Sequence, residues 1–385
     1  GTAGDVIAFA DYAATWQTNN VTVTPNGTDK IGSLNKNAIL STEGQSVTFV
    51  YVDSIQGWIN TMDSTSNVRG TTGFIMATVS GVCNTLVTAP CCANAKIATF
   101  TGPGTFCVSA IGICAANNVV SYMVVAGGGA GGTDNAATSG GGAGAGGFRE
   151  YKSPVTPYTS SPLDGNPGGT SVTVSATPYT IGVGGGGATV SEPSGPPNFN
   201  PGTPSTFSTI TSTAGGGGMS NTTGTPNPDK QGGPGGSGGG AGYYFGLANG
   251  IGNTPPVSPS QGFSGGTNPT GAGPFYGSGG GGGASAVGGN GGPTAVGLGG
   301  AGVTTSISAT PTAYAGGGGG ASWVGAACGA AGGSGGGGAG GNQSVGVNGI
   351  DNTGGGGGGA GGSPGAVYTG GTGGSGVVII RYKFQ

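Results

Sequence analysis

The chain has 385 residues, of which 99 are glycine and 24 are proline, and only 5% are charged. Its nine lysines and arginines are too few and too scattered for a surface that binds nucleic acid. Disordered chains combine low hydrophobicity with high net charge, so a net charge of −3 favours an ordered fold. Collagen is excluded because glycine does not recur at every third position.

The residue types argue against catalysis. The chain contains no histidine, the commonest general base, and its acidic residues stand singly rather than in close pairs. Glycine-rich phosphate-binding motifs need a following helix or a Gly-Lys-Ser/Thr sequence, and neither is present. We therefore expect no enzyme activity and no cofactor. No run of 18 apolar residues occurs, so we expect no membrane insertion.

Residues 1–66 predict a small all-β module, because short runs rich in Val, Ile, Phe, Tyr and Thr alternate with turn signals. A module of this size buries only about 60% of its unfolded surface, so we expect neighbours or oligomerisation to complete it. Trp16 and Trp58 are its predicted core anchors. Residues 67–95 predict a connector with one strand at 74–79. The predicted strands of the module are 5–10, 21–24 and 47–53.

Residues 96–385 predict a glycine-rich domain on a β-sandwich-like scaffold. The last predicted strand is the most apolar of the chain, and we expect strands from the two ends of this region to pair. Tyr122, Tyr382 and Phe384 lie on strands and are predicted core residues. The predicted strands are 97–100, 105–110, 119–125, 170–174, 179–183, 207–212 and 376–384.

The glycine tracts predict a second kind of structure. Because glycine has no side chain, extended polyproline-II-like segments can lie side by side and form lateral backbone hydrogen bonds. We expect a bundle of polyglycine-II helices inserted into the scaffold, with almost no α-helix. The alternative is a set of irregular glycine-rich loops. The main tracts are 127–147, 277–283, 316–320, 332–341 and 354–362.

Six cysteines are candidates for disulfide bonds. Their even number permits three bridges, but the sequence leaves the connectivity open, and buried free thiols are the alternative. A metal site would need ligand spacing such as CxxC, which is absent, so no metal is expected. The cysteines are Cys83, Cys91, Cys92, Cys107, Cys114 and Cys328.

Two parts of the sequence resemble bacteriophage proteins. Residues 9–60, from FADYAATWQTNN to VDSIQGWIN, resemble a module of tail-fibre proteins from contractile-tailed phages of marine cyanobacteria. The stretches VVSYMVVAGGGAGG at 119–132 and GGSGVVIIRYKFQ at 373–385 are similar to the glycine-rich domain of virion structural proteins from the same phages. The layout is also similar to β-sandwiches with inserted polyglycine-II helices in certain receptor kinases, and to polyglycine-helix adhesins at phage fibre tips.

The resemblance implies an extracellular fibre on the virion surface. It implies a homotrimeric N-terminal module attached to other fibre or baseplate proteins, and a C-terminal domain that touches a host surface glycan or protein. It supplies no catalytic residues. The crowded cysteines are unusual for a protein assembled in a reducing cytosol. Formation of disulfide bridges only after release is therefore an open alternative.

The leading functional hypothesis is host recognition by the distal part of a tail fibre. The alternatives are a purely structural shaft, a capsid-attached fibre or an extracellular filament. Aromatic side chains in loops give large contact areas at low entropic cost, although they can equally fill the gap between bundle and scaffold. The receptor-binding candidates are Tyr243, Tyr244, Phe245, Phe275, Tyr276 and Trp323.

Overall fold

Strands carry the fold, and the described residues contain no α-helix. The computed structural model describes residues 1–64, 73–90, 94–134, 138–189, 200–220, 231–243, 248–269, 273–323 and 328–385. The chain divides into two units, Gly1–Thr71 and Thr72–Gln385. The predicted mainly-β fold class is therefore confirmed.

The first unit is a three-stranded antiparallel sheet covered on one face by a hairpin. The sheet order is β1-β4-β5, and β2 pairs with β3. Leu40, Val47 and Phe49 form the core, and the predicted anchors Trp16 and Trp58 pack against it. The strands are β1 (Val6–Ala10), β2 (Val21–Val23), β3 (Ala38–Leu40), β4 (Ser46–Asp53) and β5 (Gly57–Ser64).

The second unit is built on two packed sheets. A short 3-10 helix, Ala115–Asn118, precedes the central strand of the first sheet. The strands are β6 (Met76–Ser80), β7 (Thr85–Thr88), β8 (Ala95–Phe100), β9 (Gly104–Ala110), β10 (Val119–Val125), β11 (Phe148–Tyr151), β12 (Val172–Thr173), β13 (Pro178–Gly182), β14 (Ser205–Phe207), β15 (Ile210–Ser212), β16 (Val303–Thr305), β17 (Thr312–Tyr314) and β18 (Val377–Lys383).

The sheet order joins the two ends of this unit. The first sheet runs β11-β10-β18-β8-β7, with β12 also on β10, and the second runs β15-β14-β13-β9-β6. In the first sheet Val124 lies opposite Val378, and Val378 lies opposite Phe100, so strands more than 200 residues apart are paired as predicted. Residues 67–95 were expected to be a connector with one strand. In the structure they contribute two strands, β6 to the second sheet and β7 to the first.

Both faces of the first sheet are buried. Tyr122, Ile380 and Tyr382 pack with residues of the second sheet in one core, and Phe384 packs against it. On the other face, Ile379 and its neighbours pack against alanines of the glycine segments and against the β16–β17 hairpin. Burial on both sides explains why β18 begins with four consecutive apolar residues, Val377 to Ile380, rather than with an alternating pattern.

The glycine segments leave the sheets and return to them. Residues 126–134 lead away from β10, and residues 139–147 lead back to β11. Each residue from 127 to 132 donates its backbone N–H to a neighbouring segment, and the neighbour repeats every three residues. Gly127 and Ala130 donate to Thr203 and Asn200, Gly128 and Gly131 to Gly374 and Gly371, and Gly129 and Gly132 to Gly144 and Gly141.

The returning segment shows the same repeat. Its backbone N–H groups at 140, 143 and 146 donate to residues 360, 357 and 354, and those at 141, 144 and 147 donate to residues 219, 216 and 213. A polyproline-II-type helix has three residues per turn, so this pattern agrees with packed polyglycine-II helices. No glycine from 127 to 147 among the described residues has a positive φ. The helix type itself stays a prediction.

Candidate functional site

One end of the glycine bundle is here called the loop end. Residues 126–134 lead to it from β10, and residues 139–147 lead back from it to β11. The backbone N–H of Tyr243 donates to the carbonyl of Ser139 at 3.1 Å. The Ser139 hydroxyl in turn donates to the carbonyl of Tyr276 at 2.8 Å. Three chain segments therefore meet at the loop end.

Three aromatic rings at the loop end are in contact and are called the aromatic trio: Tyr243 and Tyr276 from two of these segments, and Trp323 from a fourth. The Tyr243 and Tyr276 ring centroids lie 4.9 Å apart at an interplanar angle of 81°. The Tyr276 and Trp323 centroids lie 5.2 Å apart at 71°. Both pairs are edge-to-face, which the ring quadrupole favours. All three residues are half-buried.

The backbone fixes the position of these rings. Tyr276 has a φ of 51°, a left-handed conformation that is uncommon for a bulky residue. The Ser139 hydroxyl bond to the Tyr276 carbonyl holds this turn. The backbone N–H of Trp323 donates to the carbonyl of Phe275 at 3.3 Å, which ties the third ring to the same loop.

A buried carboxylate lies beneath the aromatic trio. Asp134 is fully buried, and its Oδ1 accepts the backbone N–H of Tyr368 at 2.6 Å. A Cβ added at Gly362 would come close to both Asp134 Oδ2 and the Trp323 ring, so Gly362 lets the three groups pack together. Asp134 thus joins the loop at 363–368 to the base of the trio.

The structure brings together three of the six sequence-predicted aromatic residues. Phe275 is half-buried beside the trio, and its backbone N–H donates to the carbonyl of Pro293 at 2.7 Å. Tyr244 and Phe245 lie outside the described residues. Sequence reasoning missed Asp134 and Ser139, because a single carboxylate or hydroxyl within a glycine tract carries no distinctive signal. The receptor-binding role of the aromatic residues stays a prediction.

The cysteines do not form a disulfide framework among the described residues. Cys83, Cys107, Cys114 and Cys328 are free thiols, and all but the half-buried Cys107 are exposed. The predicted disulfide candidates Cys91 and Cys92 lie outside the described residues. Bridges are not needed for the packing of the sandwich, because its core is apolar and continuous across both sheets.

A buried polar cluster lies at the sheet end of the second unit. Glu150 accepts the Thr305 hydroxyl at 2.5 Å and the backbone N–H of Ser161 at 2.9 Å. Burial raises the pKa of Glu150, and the hydrogen bonds only partly offset this. Arg381 is fully buried, lies 5.4 Å from the Tyr158 ring centroid and donates to the carbonyl of Pro157 at 2.9 Å. The cluster fastens surface loops to the sheet and offers no accessible reactive group.

A concavity of about 440 Å³ opens between the two sheets, among residues that include Phe74, Lys96, Tyr382 and Phe384. The Lys96 ammonium lies 4.9 Å from the Phe384 ring centroid. Burial raises the pKa of Tyr382 to about 12, so its phenol stays neutral at physiological pH. None of the aromatic candidates lines this concavity.

No group of three or more His, Cys, Asp or Glu side chains in the described ranges could hold a metal ion. Within the same ranges, no helix has the length and apolar character that crossing a membrane requires.

The architecture is that of a mainly-β protein in which a sandwich carries a hydrogen-bonded glycine bundle. The glycine-rich domain family matches residues 101–383, which include the whole bundle and the closing strand β18, and the chain belongs to that family. No curated protein matches the chain significantly.

Proposed function

We propose that this protein is a phage virion fibre protein whose loop end binds the host cell surface. The observation that carries the proposal is the convergence of three half-buried aromatic residues from three separate segments at one end of the bundle. The resemblance of residues 9–60 to tail-fibre modules supports the virion assignment. On this proposal the partner is a glycan or protein of the host surface.

The chemistry of the aromatic trio suits recognition. Tyr and Trp offer large, rigid contact areas with few rotatable bonds, and they are enriched among the residues that dominate binding energy. The trio also stands on a scaffold whose backbone groups are joined by regular lateral hydrogen bonds. A rigid scaffold lowers the entropy lost when its loops bind a partner.

A purely structural fibre is the second candidate, and the burial of Trp323 favours it. The indole N–H of Trp323 is buried and makes no hydrogen bond to any described residue. On this view the trio closes the end of the bundle and recognises nothing. The role would then be stiffness in a shaft, a capsid-attached fibre or an extracellular filament.

Binding of the full chain to intact cyanobacterial cells tests the proposal. We expect wild type to bind susceptible cells, and the variants Tyr243→Ala and Trp323→Ala to bind at least tenfold more weakly, because central aromatic contacts are typically worth about 2 kcal/mol or more. The matched control is Tyr12→Ala, since Tyr12 is an aromatic residue of the first unit that is 96% exposed. Circular dichroism must show that each variant is folded.

Two results would contradict host recognition by the loop end. One is a wild-type protein that binds no susceptible cell. The other is folded trio variants that bind as tightly as wild type and differ only in melting temperature. The second result is the one expected of a structural fibre.

A further inference from the structure

The concavity between the two sheets of the second unit has the size and lining of a small-molecule site. Residues of β6, β8, β9 and β18 line it, and its volume of about 440 Å³ falls within the range of roughly 300–1,000 Å³ that is usual for ligand pockets. Apolar and aromatic residues predominate in the wall, among them Phe74, Ile75, Ala77 and Phe384. Such a wall suits the apolar body of a ligand, and the few polar groups in it decide what kind of ligand binds.

The charge of the concavity is positive. Lys96 is the one charged side chain among its described lining residues. It lies directly opposite Tyr382 where β8 pairs with β18, so the two side chains share one face of the sheet. Lys96 is half-buried, and its ammonium lies 4.9 Å from the Phe384 ring centroid. No carboxylate of a described residue forms an ion pair with it, so an anionic ligand would supply the missing counter-charge.

A second lysine strengthens this preference for an anion. The Lys383 ammonium lies 5.0 Å from the centroid of the Phe74 ring, which belongs to the wall. Both phenylalanine rings of the wall, Phe74 and Phe384, therefore have a lysine ammonium beside them. A cationic ligand would meet like charges here, which selects against it.

The buried hydroxyl of Tyr382 is the second polar group of the concavity. Tyr382 is fully buried, and its hydroxyl makes no hydrogen bond to any described residue. Buried polar groups are normally paired, so this one calls for a partner. Because burial raises the pKa of Tyr382 to about 12, the phenol keeps its proton at neutral pH and can donate it in a hydrogen bond. A carboxylate oxygen in the concavity would be a suitable acceptor.

We infer that this concavity binds a small organic carboxylate. Its apolar body packs against Phe74, Ile75 and Phe384, while its carboxylate pairs with Lys96 and accepts the hydroxyl of Tyr382. The inference goes beyond host recognition, because none of the aromatic trio lines the concavity and the site does not depend on whether the loop end binds a cell.

Isothermal titration calorimetry of the full chain with octanoate and with octanol tests the inference. The two probes share an aliphatic chain and differ in the charge of the head group. We expect wild type to bind octanoate saturably, and about tenfold or more tightly than octanol, because only the anion pairs with a partly desolvated ammonium.

Two conservative variants separate the polar contacts from the packing. Lys96→Met keeps a flexible apolar stem, and it should weaken octanoate binding about tenfold or more while leaving octanol binding unchanged. Tyr382→Phe keeps the ring, and it should weaken octanoate binding without lowering the melting temperature, because the lost hydroxyl has no partner among described residues. Lys152→Met is the matched control, since the Lys152 ammonium also lies beside a ring, 5.7 Å from the Tyr158 centroid, but outside the concavity.

Four results would overturn the inference. They are a wild type without saturable octanoate binding, octanol that binds as tightly as octanoate, a folded Lys96→Met variant that binds octanoate as wild type does, and a control that loses as much affinity as Lys96→Met. A diazirine-bearing octanoate then places the site without any substitution. Its adducts should map to β6, β8 or residues 382–384, and adducts only to other elements would contradict the proposed site.

Discussion

At the scale of single residues, the bundle depends on the missing side chains of its glycines. A Cβ at Gly128 or Gly131 would fall on the carbonyl oxygen of Gly355 or Gly358 in a neighbouring segment. These oxygens belong to backbone that is itself hydrogen-bonded on other sides, so it cannot move aside cheaply. Glycine is required here for close backbone approach rather than for a special φ.

We expect Gly131→Ala to destabilise the second unit by about 1–3 kcal/mol or more, the usual cost of overpacking a well-packed interior. Gly292→Ala is the matched control, because a Cβ there meets no atom within 4 Å. The control should be neutral or stabilise by up to about 1 kcal/mol, since alanine restricts the unfolded chain. Thermal unfolding followed by circular dichroism measures both variants. Equal melting temperatures for the two would contradict the close-approach argument.

Glu150 gives a pH-dependent prediction at the same scale. Burial raises its folded-state pKa above the unfolded value of about 4.3, so its contribution to stability is full below that pH and is lost as pH rises through the folded pKa. Glu150→Gln removes the titration while keeping a hydrogen-bonding side chain of the same size. We therefore expect the variant to gain stability relative to wild type between pH 4 and pH 7.

Melting temperatures of wild type and Glu150→Gln at both pH values measure this difference. A difference between the two proteins that is the same at pH 4 and at pH 7 would contradict a buried, titrating carboxyl group at Glu150.

At the scale of elements, the apolar runs predicted the central strands well. The run at 119–125 coincides with β10, and the run at 376–384 contains β18, because burial on both faces favours strands that are mostly apolar. The predicted strand 207–212 is instead two strands, β14 and β15, joined at Ser208, which has a φ of 52°. Serine gives no clear signal of that turn. Short strands such as β16 and β17 are fixed by tertiary packing rather than by local propensity.

The candidate site, like the strands, could be predicted from the sequence only in part. Loop aromatics between glycine segments could be recognised from the sequence, which singled out six residues, Tyr243, Tyr276 and Trp323 among them. Their mutual contacts could not be predicted, because they depend on which glycine segments are neighbours. That order is set by backbone hydrogen bonds, many of them between two glycines, so no side-chain pattern records it.

At the scale of the whole molecule, the two units rest on different physical bases. The first unit has a small core of Leu40, Val47 and Phe49 with packed aromatic neighbours. The second has two extensive apolar cores and a bundle held by backbone hydrogen bonds. Because the packing of each unit is largely internal, each should unfold as its own cooperative transition.

We therefore expect two calorimetric transitions, which Asp11 can assign. Burial by itself raises the pKa of Asp11, but backbone N–H donors from Thr15, Trp16 and Gly44 outweigh burial and lower it. A lowered folded-state pKa gives stability that is present above the unfolded value of about 3.9 and is lost as pH falls through the folded pKa. At neutral pH, Asp11→Asn should lower the melting temperature of the first unit's transition, and that transition should then lose less stability in acid than it does in wild type. Gly131→Ala should lower only the melting temperature of the second unit's transition. A single transition whose melting temperature both variants lower would contradict this expectation, because it would show that the two units unfold together.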